Sequence, residues 1–97
     1  MEKNTSAKIL LLEDDPGLID GLSYALSRNG FHIDVASSVS EAFQRLNNSV
    51  YHLLILDITL PDGTGYEVCE KVRKSGSRVP ILFLTALDEE VNIIRGL

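Results

Sequence analysis

Leu53-Leu54-Ile55-Leu56 is an unbroken aliphatic run that stops on a carboxylate, Asp57. A run this short, with no polar alternation, predicts a strand buried on both faces, as in the middle of a parallel sheet. Pro61, Gly63 and Gly65 follow and interrupt regular structure. Asp57 is therefore expected at the carboxyl end of a central strand with a loop above it, which is where open α/β sheets place ligands and chemistry. Taken alone, a strand-terminal Asp is better explained by capping its own turn. An ionised carboxylate in such a place is costly to desolvate without a partner, so the rest of the chain decides.

Two further runs resemble the first. Lys8-Ile9-Leu10-Leu11-Leu12 ends on Glu13-Asp14-Asp15, and Val79-Pro80-Ile81-Leu82-Phe83-Leu84 ends on Thr85-Ala86. Phe31–Ala36 alternates as a strand. Between the strands lie helical spacings. Asp15 is placed to cap a helix with Pro16 at its first position, and Gly30 is placed to close it. Ser38-Val39-Ser40-Glu41 has the form of a capping box before Ala42, Phe43 and Leu46. A third helix is expected from about Gly65 to Lys74, with Val68, Cys69 and Val72 facing inward. Asp88 is placed to cap a last helix carrying Val91, Ile93, Ile94 and Leu97. Strictly alternating strands and helices predict an α/β fold, a parallel sheet with helices on both faces joined by right-handed crossovers. All strand carboxyl ends then point to one edge. Glu13, Asp14, Asp57 and Thr85 come from three strands and meet there.

Composition narrows the function. The 97 residues suffice for one domain, and a formal net charge of −5 lacks the basic footprint that gripping nucleic acid requires. No apolar run is long enough to span a bilayer, and the amino terminus carries no signal-peptide core, so no membrane role is expected. The single cysteine, Cys69, excludes an internal disulfide and fits a reducing, cytoplasmic setting. Cys69 reads as a small core residue, Tyr66 as packing, and His52 as a surface residue at the opposite end of its strand from Asp57.

Three carboxylates within a few ångströms of each other are stable only with a shared cation or a bound proton. An oxygen-only donor set, without His or Cys, selects a hard ion such as Mg²⁺. Such an ion keeps open positions for a phosphate, and one carboxylate can act as nucleophile toward phosphorus. Thr85 offers a hydroxyl to a phosphoryl oxygen, and Ala86, at the expected strand-to-helix turn, offers a backbone N–H. The plainer reading of Thr85 is a strand residue that ties off a helix start. Asp15 reads first as a helix cap and second as a supporting acid.

Leu11-Leu12-Glu13-Asp14-Asp15, the stretch Leu56-Asp57-Ile58-Thr59-Leu60-Pro61-Asp62-Gly63-Thr64-Gly65-Tyr66-Glu67, and Pro80-Ile81-Leu82-Phe83-Leu84-Thr85-Ala86 together resemble the receiver domain of two-component response regulators, especially receivers attached to winged-helix transcription factors. The resemblance covers the chain after about Ala7. It implies a flavodoxin-like, doubly wound fold with strand order 2-1-3-4-5. Asp57 would accept a phosphoryl group from a sensor histidine kinase. Glu13, Asp14, Asp57 and the backbone carbonyl of Thr59 would hold Mg²⁺, and Thr85 would be the switch hydroxyl. The domain would be a phosphoacceptor rather than an enzyme, with DNA reached only through a separate effector domain. Thr59 and Leu87 flank the site and are placed to tune phosphoryl lifetime.

The family pattern continues into a fifth strand ending in an active-site Lys and a fifth helix, whereas this sequence stops at Arg95-Gly96-Leu97. Residues 1–97 thus read as a receiver incomplete at its carboxyl end, with order 2-1-3-4. Weakened phosphorylation is expected. So is an open edge on the strand Val79–Leu84, and with it a homo-oligomer formed by strand pairing or swapping. Other functions fit less well. A haloacid-dehalogenase-type phosphohydrolase needs a second acid two residues after its nucleophile, where this chain has Thr59. A flavin carrier's phosphate would be repelled by Glu13-Asp14-Asp15. A partner-binding pseudoreceiver without phosphotransfer is the remaining alternative.

Overall fold

The structure, a computed structural model, describes residues 7–87 and 90–95. The chain runs β1 (Lys8–Leu12), α1 (Pro16–Arg28), β2 (His32–Ala36), α2 (Val39–Asn48), β3 (Leu53–Asp57), β4 (Thr59–Leu60), β5 (Gly63–Thr64), α3 (Gly65–Lys74), β6 (Ile81–Leu87) and β7 (Glu90–Arg95). The main sheet has the order β2-β1-β3-β6-β7. Its first four strands are parallel, and β7 is antiparallel to β6. The four parallel strands match the expected order 2-1-3-4.

The aliphatic runs fill both faces of this sheet because successive side chains on a strand point to opposite sides. Leu10, Leu12, Leu54, Leu56, Ile81 and Phe83 face α2 and α3, where they meet Val39, Ala42, Val68 and Val72. Ile9, Leu11, Ile55 and Leu84 form a smaller cluster on the other face, covered by Leu22 and Leu26 of α1. Each fully buried Leu contributes about 1.5–3 kcal/mol relative to exposure. Cys69 is half-buried against the larger cluster, and Tyr66 sits beside Phe83 with ring centroids 5.1 Å apart.

The caps are local. Asp15 accepts from the Leu18 N–H with Pro16 opening α1, and Gly30 follows the helix at φ 90°. Ser38 accepts from the Glu41 N–H, but the Glu41 carboxylate reaches the Ser37 N–H instead of closing the box. A complete capping box lies on α3, between Thr64 and Glu67. At the amino edge of the sheet the Tyr51 hydroxyl donates to Asp34 at 2.6 Å. Burial and this bond to a carboxylate push the Tyr51 phenol up to about 12. His52 lies at the same edge, exposed, its Nδ1 accepting from the Lys8 N–H.

The largest departure from expectation is at the carboxyl end. The last helix expected from the spacing of Val91, Ile93 and Ile94 is the strand β7, registered from Leu82↔Arg95 to Leu87↔Glu90; Asp88, its expected cap, lies outside the described residues. The physical reason is the neighbouring edge. The outer edge of β6 carries backbone groups that need partners, and a segment with three β-branched residues suits an extended partner as well as a helix. The expected open edge on the strand Val79–Leu84 is corrected accordingly. That strand starts at Ile81, runs to Leu87, and has β7 on the edge where a second copy was expected to pair.

Candidate functional site

Glu13 is the first residue past β1, its N–H extending the ladder to the Ala36 carbonyl. Its side chain is buried, with 2% exposure, beneath Asp14 and Asp15, which are exposed. Glu13 Oε2 accepts from the Asp14 and Asp15 N–H groups at 3.1 and 3.0 Å. Its other oxygen, Oε1, is buried without a hydrogen-bond partner. Asp57 closes β3, half-buried, with Oδ1 accepting from the Ile58 N–H at 2.8 Å.

Because β1 and β3 are adjacent and in register, Leu12 opposite Leu56, the residues that follow them arrive together. One carboxylate oxygen from each of Glu13, Asp14 and Asp57 lies within 4.8 Å of the others. Burial, reinforced by the neighbouring carboxylates, raises Glu13 and Asp57 above their ordinary values. Full ionisation of the cluster is thus disfavoured without a cation, and the unpartnered Glu13 oxygen is a vacant acceptor. That donor set fits a hard divalent cation.

Gly65 sets the backbone of the site. Its N–H donates to the Ile58 carbonyl at 2.9 Å, folding β4 and β5 into a small hairpin directly after Asp57. A Cβ at Gly65 would collide with the Asp57 carbonyl oxygen. Thr59, exposed, lies in this hairpin.

The structure brings Glu13, Asp14 and Asp57 together as the sequence predicts. Thr85 follows Leu84, the residue paired with Asp57, so its backbone lies just beyond the end of β3; its side chain lies outside the described part. Ala86 is not at a strand-to-helix turn. It lies within β6 opposite Val91, because β6 continues into a hairpin. Sequence reasoning missed the role of Asp62, whose carboxylate accepts from the Val39 and Ser40 N–H groups at 2.8 and 3.0 Å. Its partners lie more than twenty positions away, so no local pattern shows the contact.

A parallel α/β sheet of this order with an acidic cluster at its carboxyl edge defines the CheY-like receiver fold. The chain matches the response regulator receiver domain over residues 9–97 and belongs to that family. It is 38% identical over 90 residues to the alkaline phosphatase synthesis transcriptional regulatory protein PhoP of Bacillus subtilis, covering 93% of this chain and 38% of that protein. It is 40% identical over 91 residues to the CpxR homolog of Haemophilus influenzae, covering 94% and 39%. The chain therefore spans about two fifths of the length of these curated relatives. Among solved structures it superposes on the non-phosphorylated HemR receiver domain of Leptospira biflexa with a TM-score of 0.78 at 37% identity, covering 84% of this chain and 65% of that one. It superposes on the response regulator TrrA of Thermotoga maritima, in complex with Mg(2+)-BeF, with a TM-score of 0.78 at 34% identity, covering 84% and 71%.

Proposed function

We propose that this receiver accepts a phosphoryl group on Asp57 from a sensor histidine kinase, in a reaction that needs Mg²⁺. The observation that carries the reading is the meeting of Glu13, Asp14 and Asp57 around a buried, unpartnered carboxylate oxygen. The structure of TrrA with Mg(2+)-BeF, on a matching fold, supports it. Glu13, Asp14 and Asp57, with the Thr59 carbonyl, would hold the ion. When bound it neutralises charge on the incoming phosphoryl group.

Asp57 presents one oxygen to phosphorus. The bond from phosphorus to the donor nitrogen breaks as the aspartyl phosphate forms, and the leaving imidazole takes up a proton. The Ile58 N–H holds Oδ1 and orients the nucleophile. The Thr85 hydroxyl and Ala86 N–H are the proposed donors to phosphoryl oxygens. Among the described lysines, Lys8 opens β1 at the opposite edge and Lys71 and Lys74 lie late on α3. None of these described lysines is placed to supply a cation to the phosphoryl group. The domain acts as a phosphoacceptor with at most self-catalysed turnover. In a longer regulator it would control transcription through an effector domain that contacts DNA.

A calorimetric Mg²⁺ titration tests the metal part of this reading. One ion should bind per chain, more weakly as pH falls through the raised Glu13 and Asp57 values, because protons and the ion compete for the same oxygens. No binding at neutral pH would remove the metal from the account.

A further inference from the structure

We propose that Asp62 is a positioning residue that pins the β4–β5 hairpin to the amino end of α2, and that this clamp sets the affinity of the acidic site for its divalent cation. The proposal rests on the reading of Glu13, Asp14 and Asp57 as a cation site.

The hydrogen bonds at the start of α2 account for each other. The Ala42 N–H makes the first intrahelical bond, to the Ser38 carbonyl. Of the three donors before it, the Glu41 N–H is taken by the Ser38 hydroxyl at 3.1 Å. The Val39 and Ser40 N–H groups have no partner within the helix and point to Asp62, one to each oxygen, at 2.8 and 3.0 Å. Helix N-termini normally recruit such acceptors from the residue next door; here one carboxylate arrives from the hairpin that follows Asp57. The positive end of the helix favours the ionised form, and the two N–H bonds hold the Asp62 carboxyl below its ordinary value.

The contact is close. A Cβ on Gly63 would sit 3.2 Å from Val39 Cγ2 and would collide with the Glu67 carboxylate. Val39 and Ala42 are buried in the larger core cluster, so α2 is a fixed anchor. The hairpin's other hydrogen bonds are local: Ile58 N–H to Asp57, Gly65 N–H to the Ile58 carbonyl, and Thr64 with Glu67. Ile58 and Leu60 also pack against the larger core cluster, and among the described residues Asp62 supplies the long-range hydrogen-bonded hold on the segment that carries the Ile58 N–H and the Thr59 carbonyl. Releasing it loosens both the orientation of Asp57 and the neighbouring ligand without touching either.

The test compares Mg²⁺ affinity of wild type, Asp62→Ala and Asp62→Asn at a temperature well below each midpoint, with amide NMR of Val39 and Ser40 as the structural check. Asp62→Ala should shift both amides and weaken Mg²⁺ binding about tenfold, the low end for losing a group that orients metal ligands. Asp62→Asn, which keeps one acceptor oxygen, should fall between. Val39→Pro removes a donor at a helix position that suits proline, after a residue, Ser38, already extended at φ −148° and ψ 161°. It should weaken binding in the wild-type background and add little in Asp62→Ala. A lowered melting point with wild-type Mg²⁺ affinity would overturn the proposal and leave Asp62 a helix cap only. Failure of the wild-type titration would overturn it together with the cation-site reading, and would be recognised because it occurs before any variant is made.

Discussion

Replacing Asp57 with Asn should raise the thermal midpoint of the metal-free protein and abolish its response to Mg²⁺. Asn keeps the shape of the side chain and an oxygen for the Ile58 N–H. It removes one negative charge from a half-buried cluster in which burial already disfavours ionisation of Asp57 and Glu13. The sign follows from linkage. Carboxyls whose values are raised on folding hold protons that the unfolded chain has released, so metal-free stability falls as pH rises through those values. The variant loses the Asp57 share of that decline. A gain of about 1 kcal/mol in a domain of this size corresponds to about 4–8 °C, within reach of calorimetry at neutral pH. Mg²⁺ should stabilise the wild type by binding the folded state and should leave Asp57→Asn nearly unchanged. A variant less stable than wild type in chelator would show that the cluster is not electrostatically strained.

Gly65→Ala should have the opposite effect. Gly65 opens α3, where helix propensity alone favours Ala over Gly by about 1 kcal/mol. Space overrides propensity. The added Cβ would collide with the Asp57 carbonyl oxygen and would sit 3.3 Å from Leu56 Cβ. Neither neighbour is the end of a flexible side chain, so the backbone of β3 or the start of α3 must move. The expected cost is about 2–3 kcal/mol, as for overpacking a tight site, a large share of the stability of a small domain. Because the displaced atoms belong to Asp57, Mg²⁺ binding should weaken in the surviving folded fraction. Chemical denaturation against wild type checks the first expectation. An unchanged or raised midpoint would mean that the approach of Gly65 to Asp57 is looser than the structure has it.

The order of strands and the meeting of Glu13, Asp14 and Asp57 were legible because both follow from repeated local patterns. Aliphatic runs mark the parallel strands, and parallel connection alone brings their carboxyl ends to one edge. Asp15, Pro16 and Gly30 bound α1 through contacts a few residues long. What escaped detection depends on partners distant in sequence. Val91, Ile93 and Ile94 satisfy helical spacing, yet β7 forms because β6 offers it an edge, and a sequence pattern carries no information about that edge. The β4–β5 hairpin occupies a stretch in which Pro61, Gly63 and Gly65 predict a loop without regular structure. Those same residues shape its turn and its return to Asp57. Asp62 looks like an ordinary turn residue until α2 is placed beside it. The Thr64–Glu67 pair also has the form of a capping box, and it closes where the Ser38–Glu41 pair does not, because Glu41 bonds Ser37 instead.

Asp57 is proposed as the nucleophile of a Mg²⁺-dependent phosphoacceptor. Intact mass after incubation with Mg²⁺ and a small phosphodonor tests it most directly. One phosphoryl adduct per chain, labile to hydroxylamine, absent in chelator and absent in Asp57→Asn, is the predicted result. No adduct from a folded, Mg²⁺-bound protein, or an adduct that persists in Asp57→Asn, would contradict it.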